Sequence, residues 1–154
     1  MPSAKSRPIP QWSMYPGLHE DVLVLLAEAG LHFDFHEADD ERCIKAYDTN
    51  IMGLFTCRND RCRTNAWTSK RIAIHIRMYR GRKYNARVYN QRCRECNQIG
   101  KPRLTDSYAE RVAYRLKKWS GLEVETPKFA GKSKAPHRSE LCEGCKAGHC
   151  SSAV

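Results

Sequence analysis

Cysteine is the residue type in this chain with the clearest chemical pattern. Seven of the eight cysteines fall into closely spaced groups, and the eighth, Cys43, is isolated. Thiolates at such short spacings, together with an imidazole, are the usual ligands of structural zinc. Seven thiols and one histidine would complete two tetrahedral Zn2+ sites, so we predict two zinc ions as cofactors. The predicted ligands are Cys57, Cys62, Cys93, Cys96, His137, Cys142, Cys145 and Cys150.

Disulfide bonds are the alternative explanation of an even cysteine count. The N-terminal segment MPSAKSRPIPQWSMYPG has neither the apolar region nor the cleavage site of a secretory signal. We therefore expect a reducing compartment, the cytoplasm or the nucleus, in which the thiols stay reduced. The longest apolar stretch, residues 22–31, is interrupted by Glu28 and is too short to cross a bilayer. We expect a soluble protein without membrane insertion.

Loop closure favours one division of the eight ligands. A hairpin between the first two cysteine pairs would bring them together, and the last four ligands lie within one short segment. We predict one site of four cysteines and one of three cysteines and a histidine. An interleaved arrangement with exchanged pairs stays open here, as does His149 in place of His137. His149 is the weaker candidate because it adjoins Cys150, and adjacent residues seldom bind one metal ion together.

Hydrophobic periodicity predicts an α+β fold. Apolar residues at helical spacing predict a first helix from Leu18 that stops at Gly30, and a second helix over Ser107–Trp119. Alternating residues predict a hairpin over 70–91 with its turn at Arg80, Gly81 and Arg82, and shorter strands over 31–36 and 51–56. The expected fold is a small zinc-ribbon-like antiparallel sheet with two flanking helices, stabilised by two zinc sites.

The chain length of 154 residues fits one domain. Residues 1–14 lack periodicity and are predicted to form a flexible tail before a single zinc-binding domain over 15–150. Proline, glycine and lysine in 122–136 predict a flexible linker inside that domain. The acidic stretch 37–41 is expected to be a solvated loop.

Positive charge is concentrated in the middle of the chain. Residues 57–103 carry 14 basic and 2 acidic side chains, a net charge of +12 within a total of +10. Such a segment attracts polyanions. The outward face of the hairpin combines cations with aromatic rings and carries no acid, which suits single-stranded RNA; a charged, solvated face without a ligand is the alternative. The predicted RNA-binding residues are Arg71, Arg77, Tyr79, Lys83, Arg87 and Tyr89.

Four sequence motifs carry a resemblance to a known family: GLFTC, YNQRCREC, YAERVAYRLKKW and PHRSELCEGCKAGHC. Together they resemble the 3CxxC-type zinc finger family in its fungal form, over about Met14 to Cys150. The family includes receptor-transporting proteins, which assist surface delivery of membrane receptors, and zygote arrest proteins, whose related finger binds RNA. The resemblance implies, as an alternative function, a protein-interaction or trafficking adapter. The pair Cys57 and Cys62 departs from the CxxC spacing of the family.

Catalytic motifs are not recognisable in the sequence. It has no Gly-rich phosphate loop, nucleophile elbow or HExxH helix, and the HxE with CxxC signature of nucleobase deaminases is missing. Four protein ligands on each zinc would also leave no open position for a substrate. We therefore expect a binding protein for RNA or for a protein partner, not an enzyme with a small-molecule substrate.

Overall fold

The computed structural model describes residues 9–59, 61–124 and 138–150. Within these residues the chain forms one six-stranded sheet, three α-helices and two short 3-10 turns. In chain order the elements are β1 (Trp12–Ser13), a 3-10 turn (Pro16–Leu18), α1 (His19–Ala27), β2 (Asp34–Phe35), β3 (Lys45–Thr56), β4 (Ala66–Tyr79), β5 (Lys83–Tyr89), β6 (Lys101–Leu104), α2 (Ser107–Trp119), a second 3-10 turn (Ser139–Leu141) and α3 (Glu143–Lys146).

The sheet has the order β1-β5-β4-β3-β6, and neighbours along this path are antiparallel. Strand β2 lies beside β5 in parallel, which departs from a purely antiparallel sheet. Strands β1 and β2 therefore share one edge of β5 and cover opposite ends of it. No helix of the described residues is long and apolar enough to cross a membrane.

The predicted hairpin is confirmed as β4 and β5. Ile74, Ile76 and Met78 lie opposite Val88, Ala86 and Tyr84, and all six side chains are buried. The turn is the expected one, with Gly81 at φ +83° and Arg82 at φ +55°. Glycine adopts this left-handed conformation without steric cost, and so permits the tight reversal. The hairpin returns the chain to its starting end and thereby positions the second cysteine pair beside the first.

Both predicted helices pack on one face of the sheet. Helix α2 has the predicted bounds, and it buries Tyr108, Val112 and Leu116 against the core. Helix α1 contributes Val22 and Leu26, which are fully buried. Each fully buried aliphatic side chain of this kind contributes about 1.5–3 kcal/mol. This core fixes the sheet, and the sheet in turn carries the cysteine clusters.

Strand β3 is longer than its sequence indicates. It begins at Lys45 rather than at Ile51, because residues 45–50 pair with β4 although they show no apolar alternation. Its register with β4 shifts between Ile51 and Gly53, where a bulge interrupts the ladder. Past the bulge, Phe55 lies opposite Trp67 and the two rings stack with centroids 5.3 Å apart. The short strand β6 then covers the other edge of β3.

The N-terminal segment is attached to the sheet before residue 15, the predicted domain boundary. Strand β1 pairs with β5, and the backbone N–H of Asn90 donates to the carbonyl of Gln11 at 2.8 Å. The side-chain amide of Asn90 donates to the carbonyl of Pro10 at 2.9 Å. These contacts place residues 10–13 in the domain. Residues 125–136 of the predicted linker lie outside the described residues.

Candidate metal centres and a basic groove

The first cysteine cluster is built by two turns at one end of the β4 and β5 hairpin. Cys57 directly follows β3 and Cys62 precedes β4, whereas Cys93 and Cys96 follow β5. The backbone N–H of Cys57 donates to the carbonyl of Asn65 at 2.7 Å, and Asn65 has φ +56°. Asparagine tolerates this left-handed conformation better than most residues. The wider spacing of the first pair therefore still brings its two thiols together.

The four sulfurs of this cluster are arranged as zinc requires. The Sγ atoms of Cys57 and Cys96 are 3.4 Å apart, and those of Cys62 and Cys93 are 3.6 Å apart. All four lie within 4.8 Å of one another. Four thiolates bound tetrahedrally at about 2.3 Å from zinc would stand about 3.8 Å apart. The cluster therefore fits one Zn2+ ion with four cysteine ligands.

The thiol pKa values within this cluster diverge. A backbone hydrogen bond from Asn59 lowers the pKa of Cys57, but burial and the neighbouring thiols outweigh it and raise that pKa to about 12. Burial raises the pKa of Cys93, but backbone N–H groups of Cys96 and Glu95 favour its thiolate and help to lower the pKa to about 6. Such divergence is expected of thiols that share one site, because each thiolate disfavours the next. A divalent cation at the centre removes this repulsion.

The second cluster is formed by Cys142, Cys145 and Cys150 around α3. Their Sγ atoms lie within 4.8 Å of one another. Cys142 is the N-cap of α3, and its sulfur accepts a hydrogen bond from the backbone N–H of Cys145 at 3.4 Å. Asn50 on β3 donates its side-chain amide to the sulfur of Cys150 at 3.7 Å. Three sulfurs converge here, so the cluster supplies three of the four ligands of a second Zn2+ ion.

Helix α3 is seated on the sheet through a glycine. A Cβ atom added to Gly144 would lie 2.3 Å from the Cβ of Ala73 on β4 and 3.3 Å from the Cβ of Tyr89 on β5. Only glycine permits this close approach of α3 to the two strands. The contact fixes the second cysteine cluster against the sheet face opposite α1 and α2.

Two predicted assignments remain, the histidine ligand of the second site and the role of the isolated Cys43. His137, the predicted fourth ligand of the second site, lies outside the described residues. The ring of His149 faces Asp48, with its Nδ1 atom 3.4 Å from a carboxylate oxygen, and it is not grouped with the three sulfurs. Cys43 belongs to neither cluster in the described part of the chain. The cysteines are grouped in the predicted pairing, not interleaved.

The predicted RNA-binding face is largely covered. Arg77, Tyr79 and Tyr89 expose 2%, 6% and 2% of their surface, so they belong to the protein interior. Lys83 is exposed, and Arg71 is half-buried. The sequence-based prediction assumed that the hairpin face opposite the apolar face is exposed to solvent. The structure corrects this, because the loop after β2 and the C-terminal segment cover that face.

An acid from the loop after β2 neutralises the covered cations. The Asp39 carboxylate accepts hydrogen bonds from Arg77 Nη2 at 2.6 Å and from Arg87 Nη2 at 2.6 Å. The Arg87 guanidinium also lies over the ring of Trp12, 4.4 Å from its centroid. Burial would raise the pKa of Asp39, but the hydrogen bonds and charges of Arg87 and Arg77 hold that pKa below its usual value. The hairpin face is therefore not free of acid, and residues 37–41 are not only a solvated loop.

A basic groove lies beside the first cysteine cluster. It has a volume of about 730 Å³, and no carboxylate is among the described residues that line it. Arg71 is the one predicted RNA-binding residue in its lining. The sequence reading missed the other cations because the bulge and the two cysteine turns bring them together from separate segments. Those cations are Arg63, Lys70, Arg92, Arg94 and Arg138.

Comparison with known proteins supports the metal centres. A family model for the 3CxxC zinc ribbon, described as a zinc-binding domain, matches residues 50–148. The matched segment includes the whole first cluster and two cysteines of the second. No curated protein and no solved structure matches the chain. The prediction is therefore confirmed at the level of the 3CxxC zinc-ribbon family, and the two cysteine clusters fit two zinc ions.

Proposed function

Because the chain belongs to the 3CxxC zinc-ribbon family of zinc-binding domains, we propose that it is a zinc-stabilised module that binds single-stranded RNA and is not an enzyme. The basic groove carries this proposal. Six cationic side chains line it, and no acidic side chain of the described residues does so. A concave surface of one charge sign concentrates the opposite charge and binds phosphates. The proposed site is thus moved from the hairpin face to this groove.

The cations of the groove differ in their availability. Arg63, Lys70 and Arg138 are exposed, and none of them forms an ion pair with a described carboxylate. Arg94 approaches Glu95 only at 4.0 Å, and both side chains are well exposed. Such surface pairs contribute little, so phosphate can displace the acid. Most of the cationic lining is therefore free to neutralise phosphates.

An aromatic ring lies among these cations. Trp67 lines the groove, and one face of its indole stacks on Phe55 with an interplanar angle of 14°. Its Nε1–H donates to Gln91 at 3.4 Å, which fixes the ring further. A fixed aromatic ring beside cations suits unpaired bases, which stack with about 1–3 kcal/mol per base. This combination favours single-stranded RNA over a duplex.

The adapter function has less support in the described structure. A protein partner could use the apolar stripe of α2 as a contact surface, but Tyr108, Val112 and Leu116 of this stripe are buried against the sheet. Those side chains are unavailable to a partner without unfolding α2. We therefore keep the adapter function only as an outcome of the test below.

The test compares two double charge reversals by fluorescence anisotropy with a labelled oligouridylate at several salt concentrations. Lys70→Glu with Arg138→Glu changes the groove. Lys45→Glu with Lys83→Glu makes the same net charge change at the far end of the hairpin and serves as the control. The groove variant should bind weakly, with a salt slope lower by about 0.7 for each lost phosphate contact. The control should retain most of the affinity.

Three results would overturn the proposal. Wild-type protein with two zinc ions could fail to bind RNA at low salt. The two variants could lose affinity equally, which would mean that only total charge matters. The groove variant could keep its zinc and its affinity. The adapter function would then be the one to pursue.

A further inference from the structure

A third cluster of metal-binding side chains lies next to the second cysteine cluster. It consists of Asp48, His75 and His149, whose candidate ligand atoms lie within 4.8 Å of one another. His75 Nδ1 is 2.7 Å from one carboxylate oxygen of Asp48, and His149 Nδ1 is 3.4 Å from the other. We propose that these three side chains bind a third divalent transition-metal ion, separate from the two zinc ions of the cysteine sites.

The backbone brings the three ligands together from two parts of the fold. Asp48 on β3 and His75 on β4 are directly paired in the sheet. His149 comes from the C-terminal turn, where its backbone N–H donates to the carbonyl of Gly144 at 2.9 Å. The two imidazole rings lie with their centroids 4.3 Å apart and an interplanar angle of 36°. The ligands are therefore held in place by the sheet pairing and by the seat of α3.

The distances fit one metal ion. Nitrogen and oxygen ligands bound at about 2.0–2.1 Å stand about 2.8–3.4 Å apart in octahedral or tetrahedral coordination. The two carboxylate-to-imidazole distances, which run to different oxygens of Asp48, lie close to the two ends of that range. A hydrogen-bonded group of the same three side chains is the competing explanation. The 2.7 Å distance suits such a bond, but 3.4 Å is long for one.

The ligand chemistry selects the class of ion. Two imidazoles and one carboxylate suit Zn2+, Co2+, Ni2+, Cu2+ or Fe2+, whereas Ca2+ and Mg2+ prefer sites made of oxygen alone. Three protein ligands leave at least one position for water. The Asp48 and His149 side chains are 35% and 34% exposed, so an ion and its water can reach the site. The third ion would fasten the C-terminal segment to β3 and β4.

The test uses the full chain loaded with two Zn2+ ions, freed of excess metal and titrated with Co2+. Co2+ binds sulfur sites less tightly than Zn2+ does, so it should not displace the cysteine-bound ions. The expected result is one further Co2+ per chain, with weak d–d absorption and without a sulfur-to-cobalt charge-transfer band. Asp48→Asn and His149→Gln should each weaken this uptake more than about 100-fold, since even outer partners of a metal ligand contribute about 10–100-fold.

His32→Gln is the matched control. His32 Nε2 lies 3.1 Å from Asp34, which makes a similar exposed histidine and aspartate pair, and no third ligand of the described residues is grouped with it. This variant should take up Co2+ as the wild type does. In the wild type, bound Co2+ should broaden the imidazole NMR signals of His75 and His149 and leave those of His32 sharp, a readout that needs no variant. No uptake beyond two zinc ions, or equal uptake by His149→Gln with its zinc retained, would overturn the proposal.

Discussion

Arg92 contacts Glu143 and joins the two cysteine sites through one ion pair. Arg92 Nε lies 2.5 Å from Glu143 Oε1, and the Glu143 side chain is fully buried. Arg92 directly precedes Cys93 of the first cluster, and Glu143 directly follows Cys142 of the second. The backbones of the two segments are also linked, because the N–H of Arg92 donates to the carbonyl of Leu141 at 2.8 Å. A change in one cluster therefore reaches the other by a short path.

Removing Arg92 should be costly. Arg92→Ala leaves the buried Glu143 carboxylate with Lys146 as its remaining described cation, at 3.2 Å. Loss of one partner of a buried pair typically costs about 3–5 kcal/mol. We expect the free energy of unfolding of the zinc-loaded protein, measured by urea denaturation, to fall by about 3 kcal/mol. Arg94→Ala is the control, since Arg94 is exposed and should change stability by less than about 0.5 kcal/mol. Equal effects would contradict a structural role of the ion pair.

Gly144→Ala should loosen the second cluster. The added methyl group would meet the Cβ of Ala73 at 2.3 Å, so α3 must move away from the sheet. Overpacking of this kind costs about 1–3 kcal/mol. We expect one zinc ion to dissociate at a lower chelator concentration than in the wild type, while the ion of the first cluster is retained. Gly17→Ala is the control because no atom outside its two chain neighbours lies within 4 Å of its added Cβ. Equal zinc retention by both variants would contradict the close seat of α3.

Local sequence signals predicted the parts of the fold that local contacts determine. The hairpin turn around Gly81 and the bounds of α2 follow from periodicity and from glycine, so the structure agrees with them. Strand β3 extends to Lys45 only because β4 provides a partner, and residues 45–50 show no alternation of their own. Pairing with a distant segment leaves no local signal.

The cysteine groups and the covered basic face illustrate the same contrast. Short spacing brings the cysteines of the second cluster together, and the hairpin joins the first two pairs, so the cysteines of both clusters could be grouped from the sequence. Burial of Arg77 depends on Asp39, which lies 38 residues away in the chain. The alternation along a strand predicts which side chains face the core under α1 and α2, but it does not predict what covers the other face of the sheet.

Cys93→Ser should remove zinc from the first cluster and destabilise the fold. Cys93 is fully buried among three other sulfurs, and structural zinc contributes directly to folding free energy. Native mass spectrometry should show two zinc ions in the wild type and at most one in Cys93→Ser. Cys43→Ser should keep both ions, because Cys43 lies in neither cluster of the described chain. Zinc loss from Cys43→Ser would show that its thiol is a ligand after all.

Asp39→Asn should destabilise the packing of the loop after β2 on the hairpin face. The neutral amide cannot compensate the charge of Arg77, whose side chain is 3% exposed. A loss of about 2 kcal/mol is expected, between the values for surface pairs and for fully buried pairs. The folded-state pKa of Asp39 is lowered, so its contribution is complete above the unfolded value of about 3.9 and is lost only as pH falls through the folded pKa. The stability difference between wild type and variant, measured by urea denaturation, should therefore stay constant between about pH 5 and pH 8, the range in which the carboxylate is ionised in both states. Asp34→Asn is the control, because the Asp34 side chain is 65% exposed and its replacement should leave the free energy of unfolding nearly unchanged. A stability difference between wild type and Asp39→Asn that shrinks within this pH range would contradict a lowered pKa of Asp39.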